Sequence, residues 1–346
     1  MNLEIYKLPN SEIVHYADSE RIITSYANTV SFNLNGKTRN LILPQKRWQD
    51  LAKQFRIFRR TLRLDQINVV SIDGNFNEYI ILHQGRAYHY DLSSETLTPT
   101  LELTQGRNAV HQSIAVIDEK EVFFGEYDGR NPERNAVPIY KSKDRGKSWS
   151  KVYEFPKSSI KHIHGCYWDK HEEKIWVFTG DLDGECNVLV TDRDFKEIEF
   201  LGDGSQKWRA TNAFFEADAV YWGMDSNLEE NHFMKLNRKS RTLEMLVGFP
   251  GPVIHTKKLD DGVYLASTSC EKGPGVLSDN AHLFASLDAE NWEEVGRFKH
   301  DGLPKGYFKY GAIRFSYGHQ TSQNFFISGE ALKDLEGIVA QCKLNF

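Results

Sequence analysis

Two histidines placed two residues apart are the first side chains in this sequence that could act together chemically. His162 and His164 lie in KHIHGCYWD, which alternates as a β-strand does, so both imidazoles are expected on one face of the strand. Such a pair can bind a divalent metal if His111 or His255 supplies a third nitrogen. The alternative is a group of histidines that hydrogen-bond to one another or to water.

Carboxylates that follow short apolar segments form the second group of candidates. Asp181, Asp225 and Glu330 occupy such positions and could include a general acid and a general base. The alternative for each of them is a cap of the turn in which it lies. Glu126 and Asp128 begin a long polar loop that we expect to overhang the site.

Arginine and aromatic side chains complete the set. Arg209 beside Trp208 suits a fork for a carboxylate next to an aromatic platform for a sugar ring, although an arginine that ties neighbouring strands together has the same appearance. The candidate catalytic residues are His162, His164, Asp181, Asp225, Tyr310 and Glu330. The candidate substrate-binding residues are His111, Glu126, Trp208, Arg209, His255 and Tyr307.

A repeated four-strand unit is expected to position these side chains. The second strand of each unit is the clearest, and the units recur at intervals close to or longer than the about 40–50 residues of a propeller blade. The predicted second strands are Arg21–Tyr26, Glu78–His83, Glu121–Gly125, Lys174–Gly180, Ala219–Gly223, Gly262–Ser267 and Asn324–Gly329. The sequence therefore predicts an all-β, seven-bladed propeller that occupies residues 1–346 as a single domain.

The two ends of the chain support this count. The last unit has only three strands, and one extra strand, LEIYKLP, precedes the first unit. If that strand completes the last blade, the sheet edges that would invite aggregation are removed. In such a fold the starts of the first strands and the loops after the second strands share one face, where the candidate residues should converge.

The segment SKDRGKSW matches the Asp-box pattern S-x-D-x-G-x-S/T-W through Ser142, Asp144, Gly146, Ser148 and Trp149. Asp accepts backbone hydrogen bonds within a hairpin turn, and Gly supplies a positive φ. Degenerate copies occur at 286–292 and 191–194, each between a third and a fourth strand. These turns are expected to be structural and to lie away from the candidate site.

On these motifs the chain resembles the Asp-box (BNR-repeat) propellers, which include sialidases, related glycosidases and some polysaccharide lyases. The resemblance implies a propeller fold and a carbohydrate substrate. The Phe/Tyr-Arg-Ile-Pro motif of sialidases is missing, and its nearest analogue, Phe55-Arg56-Ile57-Phe58, lies in a predicted helix. Cleavage of sialic acid is therefore not expected.

A predicted amphipathic helix over residues 45–64 interrupts the repeat between the first two blades. Its apolar residues recur at helical spacing, and a basic stripe follows another face. We expect the aromatic side chains to pack inward and the basic ones to face water; the alternative is contact with an acidic glycan or an anionic surface. The apolar residues are Trp48, Leu51, Phe55, Phe58 and Leu62, and the basic residues are Lys53, Arg56, Arg60 and Arg63.

Composition excludes several classes of protein. The formal charge of −5 and the pI near 6.2 lack the basic character of nucleic-acid-binding domains. No apolar run is long enough to span a membrane, and the first residues do not form a secretory leader. The four cysteines show no CxxC pairing, which favours free thiols and a cytoplasmic location.

The function predicted from these features is action on an oligo- or polysaccharide. A hydrolase would use two of the carboxylates. A lyase would neutralise a uronate carboxylate with Arg209 or a divalent metal, while a histidine or tyrosine removes the C5 proton. The alternative is a non-catalytic propeller that binds a glycan or a protein.

Overall fold

Short β-strands dominate the computed structural model, which describes residues 1–127 and 131–345. Asp128, which the sequence places in the long polar loop, lies outside the described residues. Each strand belongs to a four-stranded antiparallel sheet, and seven such sheets are present in the described part of the chain. The predicted seven-bladed β-propeller is confirmed.

In chain order, the extra N-terminal strand comes first and the seven sheets follow it. The first three sheets follow β1 (Asn2–Leu8) and comprise β2 (Ile13–Ala17), β3 (Arg21–Tyr26), β4 (Thr29–Leu34), β5 (Lys37–Ile42); β6 (Ile67–Ser71), β7 (Glu78–His83), β8 (Arg86–Asp91), β9 (Thr96–Glu102); β10 (Ala115–Ile117), β11 (Glu121–Gly125), β12 (Val137–Ser142) and β13 (Ser150–Phe155). The other four comprise β14 (His162–Asp169), β15 (Lys174–Gly180), β16 (Cys186–Thr191), β17 (Ile198–Gly204); β18 (Phe214–Phe215), β19 (Ala219–Gly223), β20 (Asn231–Asn237), β21 (Leu243–Phe249); β22 (Val253–Lys258), β23 (Tyr264–Thr268), β24 (Asn280–Ser286), β25 (Glu293–Lys299); β26 (Ala312–Phe315), β27 (Phe325–Glu330) and β28 (Ile338–Asn345).

The N-terminal strand completes the last sheet, as predicted. β1 pairs antiparallel with β28 from Asn2 opposite Asn345 to Leu8 opposite Val339. The last sheet therefore has the order β1-β28-β27-β26. This pairing covers the edge of β28 that would otherwise be open to another chain.

The second strands were predictable because they are buried on both faces. Every residue of β7 is buried, and so is all of β15 except its first residue. Such strands appear as continuous apolar runs, whereas the fourth strands, such as β5 and β17, are largely exposed. Five of the predicted second strands have the observed bounds, and the other two, β23 and β27, begin one or two residues later than predicted. At β23 the cause is Gly262, whose φ of 87° places it in the preceding turn.

Two compact units divide the chain, residues 1–65 with 221–346 and residues 66–220. In the first unit, buried apolar residues of β23 to β28, among them Leu265, Leu283 and Phe325, pack into one core. In the second unit, Phe123, Ile163 and other apolar residues of β10 to β16 form another. That residues 1–346 form a single domain stays a prediction.

The Asp-box turn between β12 and β13 has the hydrogen bonds that its sequence predicts. The Asp144 carboxylate accepts from the Ser148 backbone N–H at 2.9 Å and from the Ser142 hydroxyl at 2.8 Å. Gly146 has a φ of 80°, and the Trp149 ring packs edge-on against Phe124 with centroids 5.0 Å apart. The degenerate copies also lie between third and fourth strands, at the ends of β24 and β16. These contacts stay within the turn and its neighbouring strands, and the structural role of the turn stays a prediction.

We expect Asp144→Ala to lower the free energy of unfolding by about 2 kcal/mol, because several backbone and hydroxyl donors lose one charged acceptor together. Urea unfolding of the variant and the wild type measures this difference. Asp218→Ala, at an exposed position before β19, serves as the control and should change the value by less than about 0.5 kcal/mol. Equal effects of the two variants would contradict a structural role for the turn.

The helical insertion is present, but its form and orientation differ from the prediction. It consists of two short helices, α1 (Gln49–Ala52) and α2 (Arg56–Leu62), rather than one. The expectation that its aromatic residues pack inward is wrong, since Trp48, Phe55 and Phe58 are 54, 60 and 49% exposed. Helical periodicity shows which side chains share a face, but not which way that face points.

The basic stripe faces inward instead. Arg60 is buried, and Arg56 is partly buried and paired with carboxylates, while Lys53 and Arg63 stay partly exposed. A third short helix, α3 (Lys305–Phe308), precedes β26. Within residues 1–127 and 131–345, no helix combines the length and apolar character needed to cross a bilayer.

Candidate functional site

The His162, His164 and Asp181 side chains meet at the end of the fourth sheet, within the second unit. In the antiparallel pair of β14 and β15, His162 lies opposite Gly180, so the residue after β15, Asp181, is adjacent to the start of β14. The register shifts between Ile163 and Gly165, and both imidazoles point into the same cluster. The prediction that the two histidines share one side of the strand is consistent with this geometry.

The distances within this His–Asp cluster are those of hydrogen bonds. The two Nε2 atoms of His162 and His164 are 3.1 Å apart. The Oδ1 atom of Asp181 lies 3.1 Å from Nε2 of His162 and 3.4 Å from Nε2 of His164. Both histidines are almost completely buried, whereas the Asp181 side chain keeps about a fifth of its surface exposed (19%).

Neighbouring groups orient both imidazoles. Nδ1 of His164 lies 3.0 Å from the Ala210 carbonyl oxygen, so Nδ1–H donates to it and Nε2 faces His162 and Asp181. The ring of Tyr127 packs against His162 with centroids 4.3 Å apart. A Cβ at Gly180 would lie 2.9 Å from the His164 ring, so this glycine allows the close approach.

Two cations bind the same carboxylate. Lys161 Nζ lies 2.6 Å from Oδ2 of Asp181, and Nη2 of Arg209 lies 3.2 Å from Oδ1. Arg209 also donates from Nη1 to the Asp181 carbonyl oxygen at 3.0 Å. Lys161 was missed by the sequence analysis, although its place directly before His162 at the mouth of the strand was a usable signal.

These contacts fix the charge of the carboxylate. Burial alone would raise the pKa of Asp181, but the charge and hydrogen bond of His162, together with the His164 bond and the Arg209 charge, outweigh burial. The pKa of Asp181 is therefore held well below its ordinary value. Asp181 is an anion at neutral pH, so it accepts hydrogen bonds and has no proton to donate.

The cluster has the donor atoms for a divalent metal, but the positive side chains around it disfavour a metal ion. One ligand atom each from His162, His164 and Asp181 lies within 4.8 Å of the others, and two imidazoles with one carboxylate suit zinc or iron. His111 and His255, the predicted third ligands, are not members of this group. Lys161 and Arg209 already neutralise Asp181, and their charges would repel a divalent cation there.

The other candidates of the second unit lie apart from these contacts. Glu126 accepts from the backbone N–H groups of residues 104, 105 and 106, and from the Tyr140 hydroxyl at 2.9 Å, so its carboxylate holds a loop. Trp208 ends a short 3-10 helix and packs over Gly202. His111 lies in the turn before β10 and is half-buried.

The candidates of the first unit form a second group. Glu330 ends β27, and its carboxylate is bound by Lys309 and by Nη2 of Arg314 at 2.6 Å. Burial opposes ionisation, but Arg314 and Lys309 lower the pKa of Glu330 to about 2. Tyr307 and Tyr310 lie in and just after α3 and are exposed, while His255 on β22 and Asp225 after β19 are buried.

A surface cavity of about 490 Å³ in the first unit contains none of the predicted site residues. Its lining comes from residues 271–279 and 300–305, where Lys305 Nζ lies 3.3 Å from Asp279. The cavity is therefore lined by residues other than the candidate catalytic and substrate-binding residues.

Comparison with known proteins identifies the fold and no family. No family model matches the sequence, and no curated protein matches it. Among solved structures, the CNH domain of AfRom2 is similar with a TM-score of 0.58 at 8% identity, covering 100% of this chain and 99% of that chain. A chain in a crystal structure of a mitotic checkpoint complex is similar with a TM-score of 0.58 at 10% identity, covering 99% of this chain and 91% of that chain. At such low identity the likeness shows the propeller fold alone.

Proposed function

We propose that this protein is a non-catalytic propeller that binds another protein. The observation that carries the proposal is the state of two of the three candidate catalytic carboxylates: Asp181 and Glu330 are both held as anions by neighbouring cations. A glycosidase needs a carboxylic acid whose pKa is raised toward neutrality, so that it can protonate the leaving oxygen. The pKa values of these two residues are displaced in the opposite direction.

The aromatic side chains near the His–Asp cluster favour the same conclusion. A sugar-binding platform offers a broad aromatic face to the ring of the sugar. Tyr127 uses one face against His162, and Trp208 uses one against the backbone at Gly202. The fold is shared with a component of a mitotic checkpoint complex, which is an assembly of proteins, and this likeness supports a protein partner.

A polysaccharide lyase is the second candidate, and one observation favours it. Nε2 of His164 faces the cluster, and in a ring protonated only at Nδ1, which does not donate to Asp181, it could accept the C5 proton of a uronate as the bond from C4 to its oxygen breaks. Arg209 would have to neutralise the uronate carboxylate, yet it already binds Asp181 through a side-chain and a backbone contact. That prior engagement is why the lyase stands second.

We expect the protein to show no turnover and no saturable heat of binding when it is mixed with uronate-containing or sialylated oligosaccharides, with or without Zn²⁺. Formation of unsaturated uronate and of reducing ends measures turnover, and calorimetry measures binding. The reason is that the carboxyl group of the His–Asp cluster is ionised and so cannot protonate a leaving oxygen, and that Arg209 is already engaged by Asp181.

Two variants make this experiment decisive. The lyase would replace the proposal if the wild type turns over a uronate substrate and His164→Ala lowers that turnover by at least about 100-fold. His319→Ala, at an exposed position, is the control and should leave the turnover unchanged. Saturable glycan binding without turnover would show that the propeller binds a glycan and would overturn the proposal of a protein partner.

A further inference from the structure

The two helices of the insertion present large apolar side chains to solvent. Trp48, Leu51, Phe55 and Phe58 are 54, 78, 60 and 49% exposed, and Ile57 and Leu62 extend the same surface. We call these six residues the insertion surface. Single exposed apolar residues are ordinary, but six of them on two consecutive short helices, with the rings of Phe55 and Phe58 5.9 Å apart, indicate an interaction site.

Buried ion pairs hold the insertion surface outward. Arg59 binds Glu12 through Nε and Nη2, at 3.1 and 2.6 Å, and is almost completely buried. Arg60 donates from Nε to the Phe308 carbonyl oxygen at 3.0 Å and pairs with Asp301. Turning the apolar side chains inward would break these contacts and leave buried charges without partners, which is strongly unfavourable.

Arg56 adds a third anchor on the same helix. Its Nη1 atom lies 2.6 Å from Asp65, and its Nε atom lies 2.8 Å from Glu336. Three of the seven basic residues in 46–63 are therefore committed to the interior of the first unit. The outward position of the aromatic side chains is built into the fold.

The margin of the insertion surface is basic, in contrast to the whole chain. Lys46 and Arg47 are exposed, and Lys53 and Arg63 are partly exposed, whereas Asp50 is the single acidic residue in 46–63. The complete sequence has a formal charge of −5. Apolar and aromatic side chains bordered by lysine and arginine are the composition of segments that lie in the interface of an anionic membrane.

We propose that the insertion surface docks on an anionic lipid bilayer, with Trp48, Leu51, Phe55 and Phe58 entering the headgroup boundary. Two helices of four and seven residues suit a penetration of about 5–10 Å, which an interfacial segment reaches without spanning. The cationic margin supplies the second signal that stable attachment needs, because apolar insertion alone is marginal. A protein interface would also accept the aromatic residues and the arginines, and binding to vesicles distinguishes it from the bilayer. This inference does not depend on the proposed function.

Sedimentation with vesicles tests the proposal on the complete chain. Wild-type protein is expected to bind vesicles of phosphatidylcholine mixed with phosphatidylserine more tightly than vesicles of phosphatidylcholine alone, and added salt should weaken the binding. The variant Trp48→Ser/Phe55→Ser/Phe58→Ser should lower the partition coefficient at least about tenfold. Lys46→Glu/Arg47→Glu should lower it by about tenfold or more on the anionic vesicles.

Matched controls separate this surface from general stickiness. Leu287→Ser and Phe200→Ser remove exposed apolar side chains elsewhere, and Lys37→Glu/Arg39→Glu reverses exposed charge on β5; each should bind as the wild type does. The single variants Phe55→Ser and Arg47→Glu, checked for folding by circular dichroism, serve if the multiple variants do not fold. Absence of wild-type binding to the anionic vesicles would overturn the proposal, as would full binding by the folded aromatic variants. A dimer that dissociates only when these aromatic residues are replaced would assign the surface to a second copy of the chain instead.

Discussion

Replacement of Asp65 by alanine is expected to lower the free energy of unfolding by about 3 kcal/mol. Asp65 is almost completely buried and binds Lys309 Nζ at 3.0 and 3.2 Å and Arg56 Nη1 at 2.6 Å. Its removal leaves two buried cations without their shared partner. The loss is large because desolvated charges lack the compensation that water would provide.

Asp65 belongs to a network of ion pairs in which, among the described residues, positive and negative side chains are equal in number. Five cations and five carboxylates of the first unit are joined by ion pairs, and they are Arg56, Arg59, Arg60, Lys309, Arg314, Glu12, Asp65, Asp301, Glu330 and Glu336. Guanidinium chloride unfolding of Asp65→Ala measures the change. Asp50→Ala, whose carboxylate is exposed and pairs with Lys53 at 3.0 Å, is the control and should leave the free energy of unfolding nearly unchanged. A similar small change for Asp65→Ala would show that the network does not stabilise the fold.

Acid is expected to destabilise the protein through Glu330. Its pKa is about 2 in the folded chain because Arg314 and Lys309 outweigh the effect of burial, while an unfolded glutamate titrates near about 4.3. A lowered folded-state pKa means that the stabilisation is complete above the unfolded pKa and is lost as pH falls through the folded one. The contribution lost between about pH 5 and pH 2 is on the order of 3 kcal/mol.

The test compares unfolding free energies of wild type and Glu330→Gln across that pH range. The variant should be less stable at neutral pH and should show a flatter decline toward acid, because the titrating group is gone. Glu244→Gln, on the exposed face of β21, should leave the slope unchanged. Parallel curves for wild type and Glu330→Gln would show that the Lys309 and Arg314 contacts do not hold the carboxylate ionised.

The same electrostatic feature limits what the His–Asp cluster can do. Asp181 binds two histidines, Lys161 and Arg209, and Glu330 binds Lys309 and Arg314, so two of the three candidate acids are held as anions. Sequence reasoning selected these carboxylates as a possible general acid and base that follow second strands; their positions at the ends of β15 and β27 are observed, and the catalytic roles stay predictions. It missed Lys161, Lys309 and Arg314 as their partners, and it assigned Arg209 to a substrate carboxylate rather than to Asp181.

Local sequence was sufficient for the blades and for the turn between β12 and β13. Five second strands could be placed because burial on both faces leaves an uninterrupted apolar run. The closing pair of β1 and β28 followed from the count of strands at the two ends of the chain, and the Asp-box turn uses contacts within eight residues. The convergence of His162 and His164 also followed from the two-residue period of a strand. Membership in the Asp-box family and a carbohydrate substrate stay predictions.

The helices between the first and second blades show a feature that local sequence could not predict, namely which face of a helix is buried. The period of Trp48, Leu51, Phe55 and Phe58 established an amphipathic segment from sequence alone. Which face was buried depended on Glu12, Asp65, Asp301 and Glu336, which lie far from the segment or at its end and bind its arginines. Likewise, the sequence supplied the imidazoles and carboxylates of the candidate site, whereas their protonation depends on cations that only tertiary structure brings within hydrogen-bond distance. Short-range periodicity determines secondary structure, and long-range electrostatics decides how it is oriented and what its polar groups can do.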